Sequence, residues 1–104
     1  MYNEQFVDRL TQLRMNKGVS ARDMSLSIGQ NAGYINNIES GKALPSMSVF
    51  FYICEYFKIE PKDFFDMENT HPEQLNEIIE DLKCLSLEEL KNLAPIIKSL
   101  KKNA

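Results

Sequence analysis

The chain has no tryptophan, one histidine, two cysteines, four glycines and four prolines among 104 residues. Each shortage removes a class of protein. Cys54 and Cys84 lie far apart inside apolar stretches, so no disulfide framework or Cys/His metal set is spelled out. Reduced core thiols are the simplest reading, and they point to the cytoplasm. The single histidine, His71, stands beside Pro72 and reads as a solvated loop residue. There is no Gly-rich phosphate loop and no G-x-S-x-G elbow, so an enzyme is not expected, and neither a cofactor nor a small-molecule ligand is called for. No run approaches the roughly 18 apolar residues of a membrane span. The first residues, Met1 to Gln5, are polar and acidic, unlike a signal peptide.

An excess of positive charge is also missing. Twelve Lys/Arg face fifteen Asp/Glu, for a formal net charge of −3. Residues 1–66 carry seven basic against eight acidic side chains, and residues 67–104 five against seven. Such a balance governs solubility and long-range steering; it makes a nucleic-acid partner less expected without deciding what a small face can bind. The acid pairs Glu80-Asp81 and Glu88-Glu89 alternate with lysines and read as solvated helix faces.

What is present is helical punctuation. Hydrophobic residues make up 43% of the chain, and at this length about two-thirds of the unfolded surface can be buried in one core. Phe6, Val7, Leu10 and Leu13 recur at helical spacing from Asn3 to about Lys17, and Gly18 is a natural stop. Ser20 and Asp23 make a capping box for a short helix with Met24 and Ile28 inward, ended by Gly29. Asn31 caps a helix with Ile35 and Ile38, and Ser46 caps one carrying Val49, Phe50, Ile53, Cys54 and Phe57. Pro61 opens a final short turn of helix near Phe64. After a linker at 67–71, Thr70 and Glu73 form a further capping box ahead of Leu75, Ile78, Ile79 and Leu82. Ser86 opens a last helix with Leu87, Leu90, Leu93, Ile97 and Leu100, in which Pro95 is expected to kink or interrupt the ladder. No alternating strand pattern survives. The expected fold is all-α.

Two short helices around one glycine turn, at about 21–28 and 32–39, cannot bury themselves alone and read as a helix-turn-helix. The segment from Leu10 to Ser46, L-x-x-L-R-x-x-K-G-V-S-x-x-D-M-S-x-x-I-G-Q-N-x-x-Y-I-N-x-I-E-S-G-K-x-x-P-S, resembles the lambda-repressor-like (Cro/C1, Xre-type) helix-turn-helix family. The likeness continues through Phe50 to Phe57 and on to Pro61-Lys62-Asp63-Phe64-Phe65. It implies a five-helix DNA-binding domain at 1–66, followed here by a C-terminal helical hairpin at 72–104.

By that resemblance helix 32–39 reads the major groove. Ala32, Gly33, Asn36 and Asn37 face the bases, while Ala21, Arg22, Ser40 and Lys42 stand at phosphate-contact positions. The physics agrees for the asparagines, which can pair with adenine N6 and N7. Ala21 replaces the family's usual Gln, and Ala32 and Gly33 bring no hydrogen-bonding side chain. Arg14 and Glu39 are expected to form a structural ion pair. The apolar stripes of the tail exceed what two isolated helices can hide, so they must cover the domain or, preferably, a second chain. The resulting expectation is a cytoplasmic, homodimeric, repressor-like transcription regulator on double-stranded DNA, with an inverted-repeat operator and no membrane partner. The competing reading is a protein-interaction module on the same fold that does not bind DNA.

Overall fold

A computed structural model describes residues 1–103 and contains seven helices and no strand among them. Helix α1 (Tyr2–Lys17) ends where Gly18 takes a left-handed φ of 76°, which lets its N–H reach the carbonyls of Arg14 and Met15. Helix α2 (Ala21–Ser27) starts at Ser20, whose Oγ accepts the Asp23 N–H at 3.0 Å. Helix α4 (Met47–Phe57) starts the same way, with Ser46 Oγ accepting from Val49 N–H. Between them lies α3 (Tyr34–Glu39), and α5 (Pro61–Phe64) follows with Pro61 as its first residue. Helices α6 (Pro72–Lys83) and α7 (Leu87–Lys102) complete the order.

The expected helix at 32–39 is shorter than its sequence suggested. Asn31 Oδ1 accepts from the Gly33 N–H, and the Tyr34 N–H bonds back to the Asn31 carbonyl. That local turn places Ala32 and Gly33 ahead of α3, with Gly33 as its N-cap. Pro95 does not interrupt α7, which runs through it as one helix. The ring removes one ladder donor, but the position is exposed, so water can satisfy the freed carbonyl.

The chain divides into two compact units, Met1–Glu73 and the residues from Gln74 onward. In the first, α2 packs on α3, α1 on α3 and α4 on α5 around a core of Leu10, Leu13, Met24, Ile35, Ile38 and Ile53, with Phe50, Phe57 and Phe64. Phe6, Phe50 and Phe64 meet ring to ring at centroid distances of 4.9–5.9 Å. Burying these side chains is what orders α2 and α3, since helices this short are marginal alone.

The segment read as a linker lies against α1. The Thr70 carbonyl accepts from Asn16 Nδ2 at 2.7 Å, and the Asn69 carbonyl accepts from Arg9. Glu73, expected to close a capping box, has its carboxylate 3.8 Å from Lys17 Nζ and 3.7 Å from Lys58 Nζ. The second unit, by contrast, has no buried residue in α7. No helix among the described residues is long and apolar enough to cross a membrane.

Candidate functional site

Helix α3 is the centre of the candidate site because its two faces differ completely. Ile35 and Ile38 are buried, at 0% and 1% exposure, while Asn36 and Asn37 are exposed. The inward isoleucines fix the roll of the helix, and the asparagines follow from it by the 3.6-residue period. Ala32 is half-buried and Gly33 exposed in the preceding turn, so the four base-facing candidates span a turn and a helix rather than one helix.

The phosphate-contact candidates differ among themselves. Arg22 and Lys42 are exposed, and among the described residues neither forms an ion pair. Ala21 is half-buried against the core, with its carbonyl accepting from Ser25 Oγ. The Ser40 hydroxyl donates to the Asn37 carbonyl at 3.1 Å, so its proton is already committed to the end of α3. A phosphate would have to displace that bond. Lys42 is tied by its backbone N–H to the same Asn37 carbonyl, at 2.9 Å. Beside these residues a surface cavity of about 440 Å³ opens between Ser40 and Lys42 on one side and Glu4 and Asp8 of α1 on the other. The outward side chains of α3 are the uncharged Asn36 and Asn37, with Lys42 beyond its end and the acids Glu4 and Asp8 across the cavity.

Arg14 and Glu39 form a two-pronged ion pair. Nε donates to one carboxylate oxygen at 2.7 Å and Nη2 to the other at 2.8 Å, while Nη1 donates to the Val19 carbonyl. Their side chains are 18% and 13% exposed, and the Glu39 hydrogen bond holds the Arg14 guanidinium above its usual pKa. One arginine therefore joins the end of α1, the entry to α2 and the last residue of α3.

Two supporting residues were not singled out by the sequence reading. Arg9, only 1% exposed, donates to the carbonyls of Phe64 and Asp63 at 2.6 Å, to Asn69 at 2.9 Å and to Gln12 Oε1 at 2.7 Å. Burial pushes its pKa down, opposed by the charges of Asp66 and Asp63. Ser25 is fully buried, and its Oγ accepts the Ile35 N–H at 2.9 Å. A signal for Ser25 existed: a polar residue beside Met24 on the inward face of α2 demands a partner.

Two short helices joined by a turn and set on a buried frame, with polar side chains on the outer face of the second, define a helix-turn-helix protein. A family model described as a helix-turn-helix domain matches residues 8–70, and the chain belongs to that family. The match agrees with the Cro/C1-type resemblance of Leu10 to Ser46. No curated protein and no solved structure matches the chain.

Proposed function

We propose that the protein is a sequence-specific, repressor-like transcription regulator of the Xre type that reads the major groove with α3. The observation that carries this is the exposure of Asn36 and Asn37 on a helix whose other face is locked by Ile35 and Ile38. Asparagine suits adenine, so the reading favours A·T pairs in each half-site. Ala32 offers a methyl to thymine, and Gly33 allows close approach of the backbone. Arg22 and Lys42, with Ser40 and the start of α2 at Ala21, set the register on phosphates. The protein acts in the cytoplasm, where its exposed Cys84 stays reduced.

The tail makes the homodimer. Leu75 and Ile78 of α6 are 45% and 54% exposed, and Ile97 and Leu100 of α7 are also exposed, which is apolar surface of the kind that seeks a partner. A two-fold pair of chains binds an inverted repeat with half-sites roughly 34–36 Å apart. Acids at the edge of the site, Glu4 and Asp8, make non-specific binding weak and the salt dependence shallow.

Selection from random duplexes at low salt, followed by fluorescence anisotropy on the selected and a scrambled site, tests the reading. Asn36→Ala or Asn37→Ala costs about 1–3 kcal/mol on the selected site alone. Lys42→Ala weakens both duplexes alike and lowers the salt slope by about one. A parent protein that binds neither duplex transfers the fold to the protein-interaction reading. Sedimentation at tens of micromolar tests the dimer, and a monomer there refutes it.

A further inference from the structure

Helix α3 has an N-cap that cannot cap. Gly33 brings no side chain to the first turn, although the first N–H groups of any helix lack intrahelical acceptors. The Tyr34 N–H goes to the Asn31 carbonyl, and the Ile35 N–H goes to Ser25 Oγ, ten residues earlier and on a different helix. The same oxygen donates its proton to the Ala21 carbonyl at 2.7 Å. One hydroxyl, fully buried, therefore joins the first turn of α2 to the first turn of α3.

From this we infer that Ser25 is the positioning residue of the reading helix, a cap supplied in trans that fixes where α3 begins and how Asn36 is presented. The inference rests on the DNA-binding reading for its consequence, but not for its geometry. Three features make the hydroxyl decisive. With six residues, α3 has too few internal bonds to set its own direction. Ile35, which Ser25 holds by its backbone, directly precedes Asn36, so any slack there moves the reading side chains. The far end of α3 is held separately by Arg14 on Glu39, so loss of Ser25 loosens the start alone. The hydroxyl cannot slide to another partner, because its donor and one acceptor site are both used inside the core.

The test uses Ser25→Ala in the full chain, with Ser25→Thr as the variant that keeps the oxygen. In amide hydrogen exchange, Ser25→Ala speeds exchange at Ile35 by about tenfold, the order of a lost cap, while Ile38 and Leu10 change little. Ser25→Thr restores the protection. Exchange at Ile35 that is unchanged in Ser25→Ala, or that rises only in step with Ile38 and Leu10, overturns the inference. In anisotropy on a selected duplex, Ser25→Ala binds about tenfold more weakly, with less than about twofold change on a scrambled duplex. Equal weakening on both, or none on either, refutes the positioning role. If the parent binds no duplex at all, the DNA reading fails, and the exchange measurement still decides whether Ser25 caps α3.

Discussion

The two units of this chain build helices by opposite means. From Met1 to Glu73 the helices that matter are short, and α2, α3 and α5 have seven, six and four residues. They exist because their side chains and backbone ends find partners elsewhere: Ile35 N–H on Ser25, the α5 carbonyls on Arg9, Glu39 on Arg14. From Gln74 onward the signals are local. Ser86 and Glu89 close a reciprocal capping box at the start of α7, and Lys83 pairs with Glu80 one turn away on α6. That unit has strong local instructions and almost no interior. The contrast teaches that helix content and tertiary order are separate achievements, and that the proposed reading surface sits on the unit that holds the buried core.

The largest test of that contrast is Arg9→Met. Three carbonyls, of Phe64, Asp63 and Asn69, lose Arg9 together, and that of Asp63 keeps only a long bond from the Asp66 N–H. A loss of about 3–5 kcal/mol is expected in the unfolding of the first unit, read by chemical denaturation. A variant within 1 kcal/mol of the parent, on the order of ordinary surface changes, would show that water replaces Arg9 and that the clamp is dispensable.

The cysteines give one reporter to each unit. Burial, with the nearby charge of Asp63, pushes the Cys54 thiol up to about 11. Cys84, expected in the core, is instead exposed in the turn after α6, because that unit has no buried interior to receive it. At pH 8 a thiol with that pKa is ionised in about one molecule in a thousand, so native alkylation modifies Cys84 first by a factor of about 100 or more. Peptide mapping after a short reaction reads the difference. Equal labelling would mean that α4 opens as easily as the loop at Cys84.

Next in size is the pair at the far end of α3. Arg14→Met and Glu39→Gln each leave a partly desolvated charge or carboxylate behind, at a cost of about 1–3 kcal/mol, between the values for exposed and buried pairs. Thermal melts should fall by roughly 4–8 °C for each kcal/mol in a domain of this size. Single variants that melt with the parent would remove the pair from the frame.

The smallest effect belongs to the tail. The Ser86 N–H and hydroxyl hold the Glu89 carboxyl below its usual range. Since the folded pKa is the lower one, the capping box contributes fully above the unfolded value of about 4.3 and is lost as pH falls through the folded one. The Ser86 amide shift, followed by NMR from pH 6 to pH 2.5, should turn over below about 4.3. A midpoint above that value would mean the box is not formed in solution.

Much of this was legible in the sequence because the relevant causes were local. Gly18 as a stop, Ser20, Ser46 and Ser86 as caps, and Met24, Ile28, Ile35 and Ile38 as inward residues all follow from turn chemistry and period. The start of α3 lies two residues later than a simple cap at Asn31 predicts. The Asn31 side chain instead closes a turn on Gly33, an alternative that the same residue type serves equally well. Proline within a helical pattern predicts a kink or an interruption at Pro95, yet α7 runs through it, since an exposed site lets water take the orphaned carbonyl.

Local pattern is enough for the all-α class, the helix-turn-helix and the apolar faces of the helices, and resemblance to a family motif supplies the pairing of Arg14 with Glu39. Packing alone buries Arg9 and brings Ser25 to cap a helix other than its own. Both are polar side chains that, besides a neighbour within one turn, bond partners ten to sixty residues away. Periodicity reports which residues prefer to leave water, and capping rules report bonds within one turn. Neither carries information about which distant carbonyl or N–H will arrive unpaired beside a polar side chain once the helices have packed.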